Sequence, residues 1–339
     1  MDHVVAMDLS TWQGMRTRDP RRLTLGSAQW GMPYGIANRS GPPDDGELAA
    51  MIERAHDAGL RTIDCARAYG ESEARIGRTL APSHDWRIVT KLAPDTHEPG
   101  LDIGSTLERA ITSLEASRAA LELDALPVVL LHRSAHRHAC GGRLWRRLLA
   151  ERDAGRIASL GVSAATPEEA WAALEDADIE VVQVATSLLD LRLYRQGFFP
   201  RARELGRTIY VRSVFLQGVA HLEPAMLPTF LAKLAGPIRT IRAYAAHLGV
   251  APRALYLGFA RELPGAHPII GCETDAQLEA LLADWSSEAV EAAALCQLLE
   301  ALPTLEAEIV DPAFWPTAAS GNDGPTNQTR ATSIATMRA

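Results

Sequence analysis

The chain has 339 residues, 47% of them hydrophobic, and a net charge of −8 at pH 7. Its length allows one large barrel or two ordinary domains with a substantial core, and without long basic blocks the expected partner is a small molecule, not a nucleic acid or a membrane surface. No apolar stretch nears the roughly 18 to 20 residues that span a bilayer, Met1-Asp2-His3-Val4-Val5 lacks a leader's pattern, and Cys65, Cys140, Cys272 and Cys296 are too scattered for a disulfide framework, so a cytoplasmic chain with reduced thiols is expected.

Residues 1 to 22 read as an N-terminal extension with no firm structure. From Leu23 onward, short apolar runs alternate with helical patterns. The runs are Leu23 to Ser27, Thr62 to Asp64, Ile88 to Lys91, Val128 to His132, Ser159 to Ser163, Val181 to Val184, Ile209 to Ser213 and Pro268 to Gly271. Between the first two lies an amphipathic segment, Gly46 to Gly59, whose final glycine sits where a helix cap would. Before Pro167, Thr166 can cap another helix, with the proline in its first position. Eight alternations over about 250 residues predict an α/β fold of the (β/α)8 TIM-barrel type. The barrel with its C-terminal helices would span residues 23 to 312. A doubly wound dinucleotide fold would need Gly-x-Gly-x-x-Gly after the first strand, which Gly26-Ser27-Ala28-Gln29-Trp30-Gly31 does not supply. Residues 313 to 339, rich in Thr, Ala, Ser, Gly and Asn, read as a disordered tail.

Four residues lie at or just beyond run ends, where a barrel gathers side chains at one mouth: Asp64, Tyr69, Lys91 and His132. Together they can protonate a carbonyl oxygen. Lys91 is notable because Lys91 and Lys233 are the only lysines among 34 Lys and Arg residues. An amine can be tuned by its surroundings in a way a guanidinium cannot. Singly, each of the four has a structural explanation: a helix cap, a loop aromatic, a surface amine and a packed histidine. Their joint placement favours chemistry. His132, His136 and His138 have spacings that can converge on a metal, but the arginines between them oppose a cation, and no metal is expected.

The segment Thr62-Ile63-Asp64-Cys65-Ala66-Arg67-Ala68-Tyr69-Gly70-Glu71-Ser72-Glu73, with Thr90-Lys91 and Leu131-His132, resembles the aldo-keto reductase family. The resemblance runs from about Leu23 to Trp285, and the segments Leu25 to Asn38 and Val211 to Gly218 resemble a bacterial subgroup often associated with sugar or polysaccharide pathways. It implies an NAD(P)-dependent oxidoreductase that reduces the carbonyl of a small polar, sugar-like molecule, or oxidises the corresponding alcohol. Hydride reduction leaves negative charge on oxygen and therefore needs a proton donor and a polarising group. Tyr69 would donate the proton and Lys91 would favour its phenolate. Asp64 would pair with Lys91, and His132 would hydrogen-bond the carbonyl. A nicotinamide would supply the hydride, since no side chain can. Two alternatives are a cofactor-binding regulatory subunit without catalysis and a redox-neutral epimerase that uses its bound nicotinamide transiently.

The resemblance also implies cofactor contacts. Ser163 and Gln183 match residues that hold the nicotinamide carboxamide, although Ala164 stands where an asparagine is usual. Arg212, Ser213, Phe215, Gln217 and Gly218 resemble the segment around the pyrophosphate. Gly26, Ser27, Gly271, Glu273 and Gln277 complete the expected cofactor set, and Trp30 and Tyr34 would wall the substrate pocket. After the last strand, Gly271-Cys272-Glu273-Thr274-Asp275 lacks the Lys or Arg that many members use for the 2′-phosphate of NADPH. NADP is the family default, but Glu273 and Asp275 suit a ribose diol, so NAD is the alternative.

Overall fold

In the computed structural model, which describes residues 18–38, 40–80, 85–288, 290 and 292–316, the eight apolar runs become eight parallel strands. They are β1 (Thr24–Gly26), β2 (Thr62–Asp64), β3 (Arg87–Lys91), β4 (Leu126–Leu131), β5 (Ile157–Ser163), β6 (Val181–Ala185), β7 (Thr208–Arg212) and β8 (Ala266–Gly271). Each pairs with the next, and β8 returns to β1 through Gly271 and Gly26, closing the (β/α)8 barrel.

Because side chains alternate across a strand, the same runs fill two cores. Val89, Val128, Leu130, Val181 and Tyr210 pack inside the barrel against Ile269. Leu25, Ile63, Ile88, Val129, Leu160, Val182 and Ile209 face outward into the layer beneath the helices. Each such buried aliphatic side chain contributes about 1.5–3 kcal/mol. The alternation also aims the chemistry: two residues beyond Val89, Leu130 and Tyr210 come Lys91, His132 and Arg212, on the interior face at the mouth. Asp64 sits opposite Val89 and Gln183 opposite Tyr210 in the ladder, on the same face.

The local signals for helices hold. The helix Asp45–Asp57 starts with Asp44 accepting from Glu47 N, and Gly59 follows it at φ 95°, a left-handed conformation that suits glycine. Thr166 caps Pro167–Glu175 by accepting from Glu169 N. At the far end of the barrel, Pro20–Arg22 forms a 3-10 turn from which Arg22 donates to the carbonyls of Leu263 and Ala266. The turn belongs to the expected extension, whose residues 1–17 lie outside the described residues. The chain end differs in part from expectation. Trp315 is buried and donates to Ile309 O at 3.2 Å, so ordered packing continues past residue 313. A tryptophan is large enough to repay the ordering of a short segment. Residues 317–339 lie outside the described residues. Among the described residues no helix is long and apolar enough to cross a membrane.

Candidate active site

The four expected residues meet at the barrel mouth. Lys91 Nζ donates to Asp64 Oδ1 at 2.7 Å, to Asp64 Oδ2 at 2.9 Å and to the Cys65 carbonyl at 3.0 Å. Both Asp64 and Lys91 are almost wholly buried. The ammonium lies 4.9 Å from the centre of the Tyr69 ring, and the Tyr69 and His132 rings meet edge-on at 6.3 Å. Tyr69 sits in a turn between β2 and the helix Ser72–Thr79, where its N–H donates to Ala66 O and its carbonyl accepts from Ser72 N. A buried carboxylate fixes that turn to β3: Glu73 accepts from Arg67 at 2.5 Å and from Thr90, the residue before Lys91, at 2.5 Å.

Burial and charge decide which protons are present. Burial pushes the Tyr69 phenol above its ordinary value, and Lys91 opposes this without reversing it. The expectation that the ammonium makes this tyrosine more acidic is therefore correct as a contribution and wrong as a net effect. Tyr69 is a protonated phenol at neutral pH. Burial by itself would lower Lys91, but the Asp64 carboxylate outweighs it and the amine is held above its usual range. His132 is pulled down to about 3 by burial first and then by Lys91, Arg212 and Arg133, so its imidazole is neutral. Its Nδ1 is buried with no hydrogen-bond partner among the described residues.

A cavity of about 560 Å³ opens from Asp64 and Tyr69. It runs outward between the turn after β7 and the helices Pro252–Glu262 and Asp275–Ser286. Gly26, Ser27, Tyr34, Gly271, Glu273 and Gln277 line it, as do Arg212, Ser213, Phe215, Gln217 and Gly218. In the β7 turn, Ser213, Leu216 and Gln217 hold positive φ angles of 64°, 46° and 54°. Non-glycine residues rarely adopt this conformation, and such strain clusters at functional sites.

Other expected residues fall elsewhere. Ser163 and Gln183 are not on the cavity wall. Gln183 donates instead to Asp64 Oδ1 at 2.7 Å, which ties β6 to the tetrad and leaves its own Oε1 buried and unpartnered among the described residues. Trp30 does not wall the pocket: it is fully buried and its indole donates to Cys272 O at 3.2 Å, because a ring that large in the short helix after β1 packs into the core of the helix layer. Asp275 is spent outside the cavity in an ion pair with Arg54 at 2.5 and 2.7 Å.

The sequence reading missed Asn38, His221 and Arg253, which line the same cavity. Arg253 stands at the start of the helix Pro252–Glu262, paired with Asp284. The proline marks that helix start, but nothing local shows which outer helix leans over the mouth.

The Aldo/keto reductase family model matches residues 22–292. An aldo-keto reductase of Mycolicibacterium vanbaalenii is 33% identical over 127 residues, 36% of this chain and 42% of that one, so the match spans less than half of that relative. A D-threo-aldose 1-dehydrogenase of a Pseudomonas species is 27% identical over 243 residues, covering 62% of this chain and 73% of that protein. Among solved structures, the holo form of an aldo-keto reductase from Bacillus halodurans superposes with a TM-score of 0.66 at 17% identity, over 84% of this chain and 93% of that one. The glycerol dehydrogenase of Gluconobacter oxydans gives 0.64 at 20% identity, over 87% and 95%. At such identities the likeness is one of fold.

Proposed function

The chain belongs to the aldo/keto reductase family, and from that premise we propose that it reduces the carbonyl of a small polar, sugar-like metabolite with NADPH or NADH, using Tyr69 as proton donor. The observation that carries this reading is the buried Asp64–Lys91 pair, with its ammonium 4.9 Å from the Tyr69 ring centre.

A nicotinamide, when bound, would supply the hydride. The chain's own residues do the rest. Tyr69, protonated at neutral pH, hands its proton to the oxygen on which charge develops, and Lys91 offsets the phenolate left behind. Asp64 and Gln183 keep the ammonium in place. His132, neutral and with Nδ1 unsatisfied, orients the oxygen by hydrogen bonding. The reverse reaction, alcohol oxidation, uses the same groups. A regulatory subunit would not need all four.

The cavity fits a dinucleotide. It starts at Tyr69 and follows a strained, polar turn whose Ser213 and Gln217 hold positive φ angles. Glu273 on its wall favours a ribose diol, whereas Arg253 favours a phosphate. Affinities for NADPH and NADH should therefore lie within about tenfold of each other. The sugar-like substrate rests on the Pseudomonas aldose dehydrogenase. The test follows consumption of NADPH and NADH against aldehydes, ketones and keto-sugars, with Tyr69→Phe as comparison. The variant should lose at least about a hundredfold in kcat. Equal turnover by the two proteins would remove Tyr69 from its role.

A further inference from the structure

Among the interior-facing groups of the barrel mouth, one positive charge has no carboxylate partner. Of its interior-facing ionisable groups, Lys91 is neutralised by Asp64 at 2.7 Å, whereas Tyr69 and His132 are uncharged at neutral pH. Arg212 is different. It ends β7 two residues beyond Tyr210, so its side chain rises on the interior face, and it lines the cavity together with Asp64 and Tyr69. Its guanidinium donates to the Ala164 carbonyl at 3.1 Å and reaches Ser213 Oγ at 3.5 Å. Among the described residues it makes no ion pair. Asp190, in the turn beyond β6, is already paired with Arg192 at 2.8 Å. A half-buried guanidinium held by a carbonyl and by no carboxylate keeps its charge uncompensated where it faces the cavity.

This charge meets a ligand whose charge changes during the reaction proposed above. The nicotinamide ring is neutral when reduced and carries one positive charge when oxidised. Wherever it lies, a ring that passes hydride to a carbon whose oxygen is held by Tyr69 sits in this mouth, within the field of Arg212. Like charges a few ångströms apart in a partly desolvated site repel appreciably.

We propose that Arg212 makes the site discriminate between the redox states of its dinucleotide, favouring the reduced form at loading and expelling the oxidised form after hydride transfer. The inference rests on the proposed function and adds a direction: an enzyme suited to carbonyl reduction, with weak product inhibition by the oxidised dinucleotide. The arginine works through charge, so lysine replaces it and a neutral side chain of similar length does not.

The test measures binding, not turnover. Dissociation constants for NADPH, NADP+, NADH and NAD+ are obtained from quenching of tryptophan fluorescence in the parent, Arg212→Lys and Arg212→Gln. The parent should bind the reduced member of each pair at least about tenfold more tightly. Arg212→Lys should keep that ratio within about threefold, and Arg212→Gln should lower it about tenfold, mainly by tighter binding of the oxidised form. A parent ratio near one overturns the proposal without any variant. So does an equal loss of affinity for both forms in Arg212→Gln, the result expected of a pyrophosphate contact, or a ratio that variant leaves unchanged. If the parent bound no dinucleotide in either state, the proposed function itself would fall, and this inference with it.

Discussion

At Tyr69 a phenol is pressed upward in pKa by burial and downward by the ammonium beside it, and burial prevails. The result is a donor that is fully protonated when substrate arrives and whose conjugate base is stabilised only locally. That local stabilisation depends on a buried ion pair, and removing one member of such a pair strands the other. Lys91→Met would leave the Asp64 carboxylate with Gln183 as its remaining side-chain donor, at a cost of about 3–5 kcal/mol. Adding Asp64→Asn removes the stranded charge. The double variant should therefore melt at a higher temperature than the single one, although both lose at least about a hundredfold in kcat. Thermal unfolding separates the outcomes: a single variant as stable as the double would show that water reaches the pair. A second expectation concerns His132. With its pKa depressed to about 3, it is neutral at all pH values above that and takes up no proton between pH 8 and pH 5. The profile of kcat/KM should show no inflection near 6.5. Such an inflection, if abolished in His132→Asn, would mean that this imidazole is charged in the working enzyme.

Elements hold the donor in place through one close approach. Gly31 ends the short helix Ala28–Gly31 after β1, and a Cβ there would lie 1.9 Å from Tyr69 O and 2.4 Å from Ser72 N. Backbone cannot yield cheaply to such a contact, so Gly31→Ala should displace the Tyr69 turn. We expect kcat to fall by about tenfold or more while dinucleotide affinity changes little, because a misplaced catalytic group affects the transition state first. Gly236→Ala in the helix Ala235–Leu248, where a Cβ meets nothing within 4 Å beyond its chain neighbours, is the comparison and should leave kcat unchanged. If both variants keep full kcat, the contact between the two turns is soft. Much of this architecture was legible in the chain: eight apolar runs, Thr166 and Gly59 as helix boundaries, and Asp64, Lys91 and His132 at strand ends all follow from patterns a few residues long. Trp30 was misread because a loop aromatic and a buried one have the same local sequence, and only the packing of β1 against its helices distinguishes them. Arg253 and His221 were missed for a related reason, since they reach the cavity from elements whose tilt over the mouth depends on the whole barrel.

Among the described residues, three imidazoles are depressed to about 4 or below, besides His221, which is lowered less: His132 at the mouth, His136 beside His97, and His267 against Tyr210 at the opposite end. Burial first, then neighbouring arginines among other charges, depresses His136 and His267 to about 4 and His132 to about 3. An unfolded histidine titrates near 6.5. Between that value and about 4 the unfolded chain takes up protons that the folded chain refuses, so stability is complete above about 6.5 and is lost as pH falls toward the folded values. Each imidazole should withdraw about 1–2 kcal/mol by pH 5. The paired carboxylates, whose pKa values are lowered, hold their contribution until more acidic conditions, so the interval from pH 7 to pH 5 isolates the histidines. Urea unfolding across that interval should give a free energy that falls by about 3 kcal/mol or more. His267→Gln, which cannot titrate, should flatten the slope by removing one of the three contributions. A free energy that stays level from pH 7 to pH 5 would mean that these imidazoles are protonated as easily in the folded barrel as in the open chain. The barrel's two ends would then be more accessible to water than their packing indicates, and the neutral state assigned to His132 would lose its physical basis.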